Sequence, residues 1–281
     1  MPSLILGTAQ WGSAYGVTNQ LGRIDDGVLV ELVSVARERG ITALDTAPTY
    51  GDAEERIARW AGDFTVATKV SGASAVTVTD QLNGSLARLG RASVERCLVH
   101  DWPTLGSGQR TDVVRALGEA RERGLVGAVG VSAYVVEDLA ACLEYADAMS
   151  IAQVPANVLD QRLDGSPILG ELRRLGWTVQ ARSVFLQGLL AAPSEAGLGE
   201  HPAVRAVAIE AGHHGLSMID LASAYVRSRD WIDEMVVGVT SAAELVDVAS
   251  ALSAHHQVDE WVWRSLASHD IDLIDPRRWS R

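Results

Sequence analysis

The sequence predicts an α/β fold, a closed (β/α)8 barrel of the TIM type in a single domain over residues 1–281, and three observations lead there. Eight short apolar runs recur along the chain, separated by stretches with helical periodicity. The runs are apolar almost throughout instead of alternating, as strands covered on both faces are. Eight strand-helix units also occupy about 250 residues, the usual length of this barrel.

Taken in order, the runs are LILGTA, ITALDT, FTVATKV, RCLVHD, VGAVGVS, MSIAQVP, TVQARSV and MVVGVT. Between them, VLVELVSVARERG, VTDQLNGSLARLG, VVRALGEARERG and LASAYVRSRD place apolar residues at i, i+3, i+4 and i+7, the mark of a helix with one buried face. Asp25 or Asp26, Thr77, Thr111, Ser217 and Ser241 stand where N-terminal caps are expected. Gly40, Gly90, Gly124 and Gly176 stand just past the C-terminal ends. An open doubly wound sheet is the rival arrangement. It is weakened because no G-x-G-x-x-G opens a helix after the first strand; Gly124, Gly127 and Gly130 lie before and within a strand. Residues 187–202, QGLLAAPSEAGLGEHP, read as a long loop after the seventh strand, where a lid or binding loop is expected. The tail VDEWVWRSLASHDIDLIDPRRW reads as an added helix and an apolar strap.

Composition excludes several classes. A net charge of −12 without runs of like charge argues against a phosphate-backbone partner, since nucleic-acid binding needs a basic face. No segment approaches the roughly eighteen unbroken apolar residues of a membrane span, and MPSLILGTAQWG lacks the basic start of a secretion signal. Cys97 and Cys142 give no disulfide framework, so a soluble protein of a reducing compartment, the cytoplasm, is expected. His213 with His214 and His255 with His256 are adjacent pairs, which diverge by about 100° on a helix, so no metal site is expected.

One position stands out. Of the 24 Lys and Arg residues, only Lys69 is lysine. Lysine is a compact point charge that fits between two small partners, whereas arginine is a planar fork. Active sites of this barrel sit at the C-terminal strand ends, and those ends present Asp45, Lys69 and His100 in succession, with Tyr50 in the turn DTAPTYG. These residue types suit proton transfer to a carbonyl. A free phenol is a weak acid, but an ammonium about 4 Å away at an effective dielectric near 20 favours its ionised form by about 4 kcal/mol before partial cancellation by a carboxylate. Lys69 would thus activate Tyr50, Asp45 would hold Lys69 charged and in place, and His100 would polarise the substrate oxygen. Arginine would take Asp45 in a two-pronged grip and carry its charge away from the phenol. Trp11, Tyr15 and Trp102 lie in loops at the same face and either line a substrate pocket or pack the barrel top.

The chain resembles the aldo-keto reductases in LGTAQWG, LDTAPTYG, TKV, LVHDW, GVSAY, AQVPANVL, ARSVFLQGLL and VVGVTSAAEL, which span nearly its whole length. The resemblance implies a monomeric or weakly oligomeric enzyme that reduces aldehydes or ketones with NADPH, or less often NADH, with Tyr50 as proton donor. It implies that Ser132 and Gln153 bind the nicotinamide carboxamide and that Thr8 touches the cofactor. Arg182, Ser183, Leu186 and Gly188 fall in the loop that crosses the ribose and pyrophosphate, and Gly238, Thr240 and Ser241 open the last helix. Loops after strands 7 and 8 are also the usual phosphate site of the barrel itself. Ala133 replaces a common Asn, and Arg182 a Tyr that stacks on the nicotinamide; stacked there, its charge would disfavour the oxidised cofactor. Gly238 and Glu244 occupy positions where NADPH-preferring relatives place Lys or Arg, which makes NADH a rival. The floor hairpin of the family is not expected, because the first strand begins within three residues of Met1. Two other functions fit the same residues: a lyase forming a Schiff base on Lys69, and a catalytically silent nucleotide-sensing barrel. The identity of the carbonyl substrate is not legible.

Overall fold

The structure, a computed structural model, describes residues 1–72, 74–193 and 197–279. Eight parallel strands close a barrel in chain order: β1 (Ser3–Gly7), β2 (Ala43–Asp45), β3 (Thr65–Val70), β4 (Val94–Val99), β5 (Val126–Ser132), β6 (Ile151–Pro155), β7 (Thr178–Arg182) and β8 (Glu234–Gly238). All eight coincide with the expected apolar runs. The open-sheet rival is excluded, since β8 pairs with β1 along its length.

Helices surround the strands. After β1 come a short α1 (Ala9–Gly12) and α2 (Asp26–Glu38); α3 (Ala53–Trp60), α4 (Ala75–Leu89), α5 (Ser107–Glu122), α6 (Val136–Ala140) and α7 (Pro167–Arg174) follow the next five strands in turn. Two helices, α8 (Pro202–His213) and α9 (Met218–Ser228), lie between β7 and β8, and α10 (Ala242–Ser253) follows β8. The tail forms α11 (Glu260–Leu266) and α12 (Ile271–Ile274).

Local chemistry explains the ends. Asp25, Ser217 and Ser241 cap α2, α9 and α10 by accepting backbone N–H bonds. Two expected caps are displaced. Ser74, not Thr77, caps α4 and accepts the Thr77 N–H; α5 starts after Gly106, so Thr111 lies a turn inside and its hydroxyl donates to the Ser107 carbonyl. Gly90 ends α4 in the left-handed conformation, at φ 62°.

The buried face of α2 carries Leu29, Leu32, Val33 and Ala36, each large one contributing about 1.5–3 kcal/mol relative to exposure. Register brings the strand ends level: Gly7 pairs with both Asp45 and Gly238, Lys69 with Leu98, Ser132 with Gln153 and Pro155 with Arg182. The candidate residues therefore share one rim. No helix among the described residues is long and apolar enough to cross a membrane.

Candidate active site

Three adjacent strands deliver the polar set. Asp45 is the last residue of β2, Lys69 the last but one of β3, and His100 follows β4 with its N–H bonded to the Val70 carbonyl. Lys69 Nζ donates to Asp45 Oδ1 at 2.5 Å and to the Thr46 carbonyl at 3.1 Å. Both partners are buried, at 1% and 4% exposure. Burial works against the ammonium, but Asp45 and then the Tyr50 phenol override it, so the Lys69 pKa is raised. Lys69 Nζ sits 5.3 Å from the Tyr50 ring centre, and the Tyr50 and His100 rings meet edge to face at 6.3 Å. Burial, reinforced by the Lys69 charge and opposed by Asp45, pushes the His100 pKa down to about 4. At neutral pH its ring is uncharged and donates through one nitrogen.

Tyr50 is set by its own turn. Its N–H bonds the Ala47 carbonyl, and its carbonyl accepts from Ala53 at the start of α3. The buried Arg56 of α3 ties this helix to the first loop through the carbonyls of Trp11 and Ile24 and through Asp26.

The positions expected to hold a cofactor divide into two groups. Thr8 and Gln153 are turned toward Asp45: the Thr8 hydroxyl donates to the Asp45 carbonyl at 3.1 Å, and Gln153 Nε2 donates to Asp45 Oδ2 at 2.8 Å. The buried Ser132 hydroxyl and the Gln153 side-chain carbonyl make no hydrogen bond among the described residues, which leaves two groups able to receive an amide.

The second group is the loop after β7. Ser183, Leu186 and Gln187 have φ of 58°, 47° and 56°, and they are the only non-glycine residues with positive φ among the described residues. Left-handed backbone at non-glycine residues carries strain, and among the described residues all of it gathers in this one loop at the C-terminal rim of the barrel. Asn157 steadies it by donating to the Ser183 carbonyl, and a Cβ on Gly188 would collide with Thr18. Across the rim, a Cβ on Gly238 would lie 2.3 Å from Gln10 Oε1, a buried oxygen without a partner among the described residues. Ser241 caps α10, and Glu244 accepts both the Thr240 N–H and the Thr240 hydroxyl at 2.7 Å. Residues 194–196 of the expected binding loop lie outside the described residues.

Arg182 lies over the Tyr134 ring at 4.0 Å, with Arg277 from the tail over the same ring at 3.4 Å. Asp275 grips Arg277 with both oxygens, whereas Arg182 has no carboxylate partner among the described residues. Of the aromatics, Trp102 is buried, donates to the Asp138 carbonyl and packs edge-on against Tyr145. Trp11 is buried too, its indole N–H without a partner among the described residues; Tyr15 is half-buried.

Sequence reading missed Tyr134, Asn157 and Gln180, although the first two lie inside the quoted motifs GVSAY and AQVPANVL. Among the described residues no group of three or more His, Cys, Asp or Glu side chains is placed to hold a metal ion.

A closed parallel (β/α)8 barrel that gathers a buried ammonium-carboxylate pair, a phenol and a neutral imidazole at its rim has the groups that acid-base chemistry requires. The chain is a member of the Aldo/keto reductase family, whose profile matches residues 3–271. It is 34% identical over 118 residues to 2,5-diketo-D-gluconic acid reductase B of Corynebacterium sp. (strain SHS752001), a match that covers 39% of this chain and 42% of that protein. An aldo-keto reductase of Mycobacterium avium (strain 104) is 28% identical over 239 residues, 80% of this chain and 76% of its own. Among solved structures, the thermostable aldo-keto reductase Tm1743 with the inhibitor epalrestat superposes with a TM-score of 0.72 at 23% identity, covering 95% of this chain and 94% of that one. This last likeness speaks for the fold.

Proposed function

We propose that the chain, acting as one domain over residues 1–281, reduces the aldehyde or ketone of a small molecule in the cytoplasm, as a monomer or weak oligomer, with NADPH as reductant. The observation that carries the reading is the buried Lys69–Asp45 pair beside Tyr50 and His100. A reduced nicotinamide dinucleotide, when bound, supplies the hydride. Tyr50 gives its hydroxyl proton to the carbonyl oxygen, and Lys69 stabilises the charge left on Tyr50. Asp45 keeps Lys69 protonated. His100, uncharged, donates one N–H to the substrate oxygen and polarises it.

For the dinucleotide, Ser132 and the Gln153 carbonyl oxygen would take the amide end. Ser183, Leu186 and Gly188 would meet the middle of the molecule, and Gly238, Thr240 and Ser241 at the start of α10 its phosphates. Arg182 would border the same place. Tyr15 would shape the approach of the substrate, and the buried Trp11 and Trp102 would pack the barrel top.

A second reductant, NADH, is favoured by Glu244, whose carboxylate already takes both donors of Thr240 and would repel a further phosphate. The lyase alternative loses support from the raised Lys69 pKa, because a protonated amine is no nucleophile. Fluorescence titration with NADPH and NADH, followed by a carbonyl panel monitored by cofactor consumption, tests the reading. Tight binding without turnover on any carbonyl would instead indicate a sensing barrel.

A further inference from the structure

A line of hydrogen bonds, buried at Asp45, Gln153 and Gln180 and partly exposed at Glu234 and Arg96, runs through the barrel beneath the rim. Gln153 Nε2 donates to Asp45 Oδ2 at 2.8 Å and to Gln180 Oε1 at 2.9 Å; Gln180 Nε2 donates to Glu234 Oε2 at 2.7 Å. Arg96 closes the line by gripping both oxygens of Glu234, at 2.5 and 2.9 Å. Five strands contribute: β2, β6, β7, β8 and β4.

Both amide orientations are forced. A carboxylate only accepts, so Gln153 must turn its NH2 to Asp45 and Gln180 must turn its NH2 to Glu234. The Gln180 oxygen is then left facing the Gln153 NH2, and the line is consistent from end to end. Arg96, with two carboxylate oxygens to hold, fixes the far end.

We infer that Gln153 and Gln180, anchored by Glu234 and Arg96, are positioning residues for Asp45 and, through it, for Lys69. The Asp45 carboxylate divides its oxygens, Oδ1 to Lys69 and Oδ2 to Gln153. Gln153 is the one side-chain donor to Oδ2 among the described residues. Without that bond the carboxylate is free to offer both oxygens to Lys69 and draw the ammonium off Tyr50. The inference rests on the reductase reading for its catalytic consequence, but the geometry it asserts is measurable without turnover.

Since Lys69 is the only lysine, labelling with 13Cε,15Nζ-lysine yields one side-chain resonance in the intact protein. The variant Gln180→Met removes both amide bonds at a residue that is not among those assigned to the dinucleotide; Gln180→Asn, polar but shorter, serves if the first does not fold. The surface change Gln257→Met is the control. The expected result in the folded Gln180 variant is a displaced lysine resonance and exchange of the NH3+ protons faster by about tenfold, with kcat lower by about tenfold and the dinucleotide Kd unchanged within about twofold. The pH limb of kcat moves with it, while KM stays. An unmoved lysine resonance and unaltered exchange, with loss confined to thermal stability, would overturn the inference and leave the line a packing device. If the wild-type protein neither binds a dinucleotide nor reduces a carbonyl, the reductase reading fails, and the lysine resonance still decides the positioning claim.

Discussion

Gly12 and Gly51 meet backbone to backbone, so closely that a Cβ on Gly51 would lie 2.1 Å from the Gly12 carbonyl oxygen and one on Gly12 1.8 Å from the carbonyl oxygen of Tyr50. The contact locks the first loop to the turn that bears the phenol. Gly51 also has φ 58°, which a side chain resists. Replacing Gly12 with Ala forces that turn outward, at a cost of about 1–3 kcal/mol. Chemical denaturation should register the loss. kcat should fall by more than stability alone explains at a temperature where the variant is fully folded.

Removal of the phenolic hydroxyl in Tyr50→Phe leaves the fold and the rim intact. Loss of a positioned proton donor costs about 10²–10⁴ in rate. Stopped-flow single turnovers should show that loss in the chemical step, with dinucleotide affinity held.

The pH behaviour of His100 follows from its burial. Its ordinary pKa of 6.5 falls to about 4 in the folded chain. Between those values the unfolded chain takes up the proton and the folded chain does not, so stability drops as pH falls through that window and is unaffected by this group above it. His100→Gln should flatten the decline in denaturation midpoint between pH 6.5 and 4 relative to wild type. In turnover, no step from His100 is expected between pH 6 and 8, where its ring is already neutral.

Glu244 governs the choice of dinucleotide in this account. Changing it to Gln removes a negative charge and loosens its hold on the Thr240 donors. Affinity for NADPH should rise by about tenfold, the effect of roughly one unit of charge repulsion at a partly exposed site, and NADH affinity should hold. Fluorescence titration of both dinucleotides on both proteins reads the ratio.

Strands were legible because each is a self-contained apolar run, and the tetrad because the barrel rule places function at strand ends whatever the sequence between them. Thr77 and Thr111 show the limit at boundaries: a hydroxyl near a helix start is equally able to sit a turn inside it. The line from Gln153 to Arg96 was hidden for another reason. Gln153 and Glu234 are each the one polar residue of their strands, Gln180 and Arg96 share theirs with other polar residues, and only the closed register shows that the four strands point these side chains at one another. Tyr134 was hidden likewise, because Arg277 reaches it from a tail more than a hundred residues away. Trp102 reads the same in sequence whether it lines a pocket or packs on Tyr145.

The proposed chemistry turns on a small cation lodged between Asp45 and Tyr50. Steady-state turnover of Lys69→Arg, with dinucleotide affinity measured on the same preparation, addresses it most directly. Charge is conserved in that variant, so only shape and placement change. The result expected is dinucleotide binding within about twofold of wild type and kcat reduced by about a hundredfold or more, the scale of misplacing a reacting group by an ångström. A kcat within a few-fold of wild type would contradict the account.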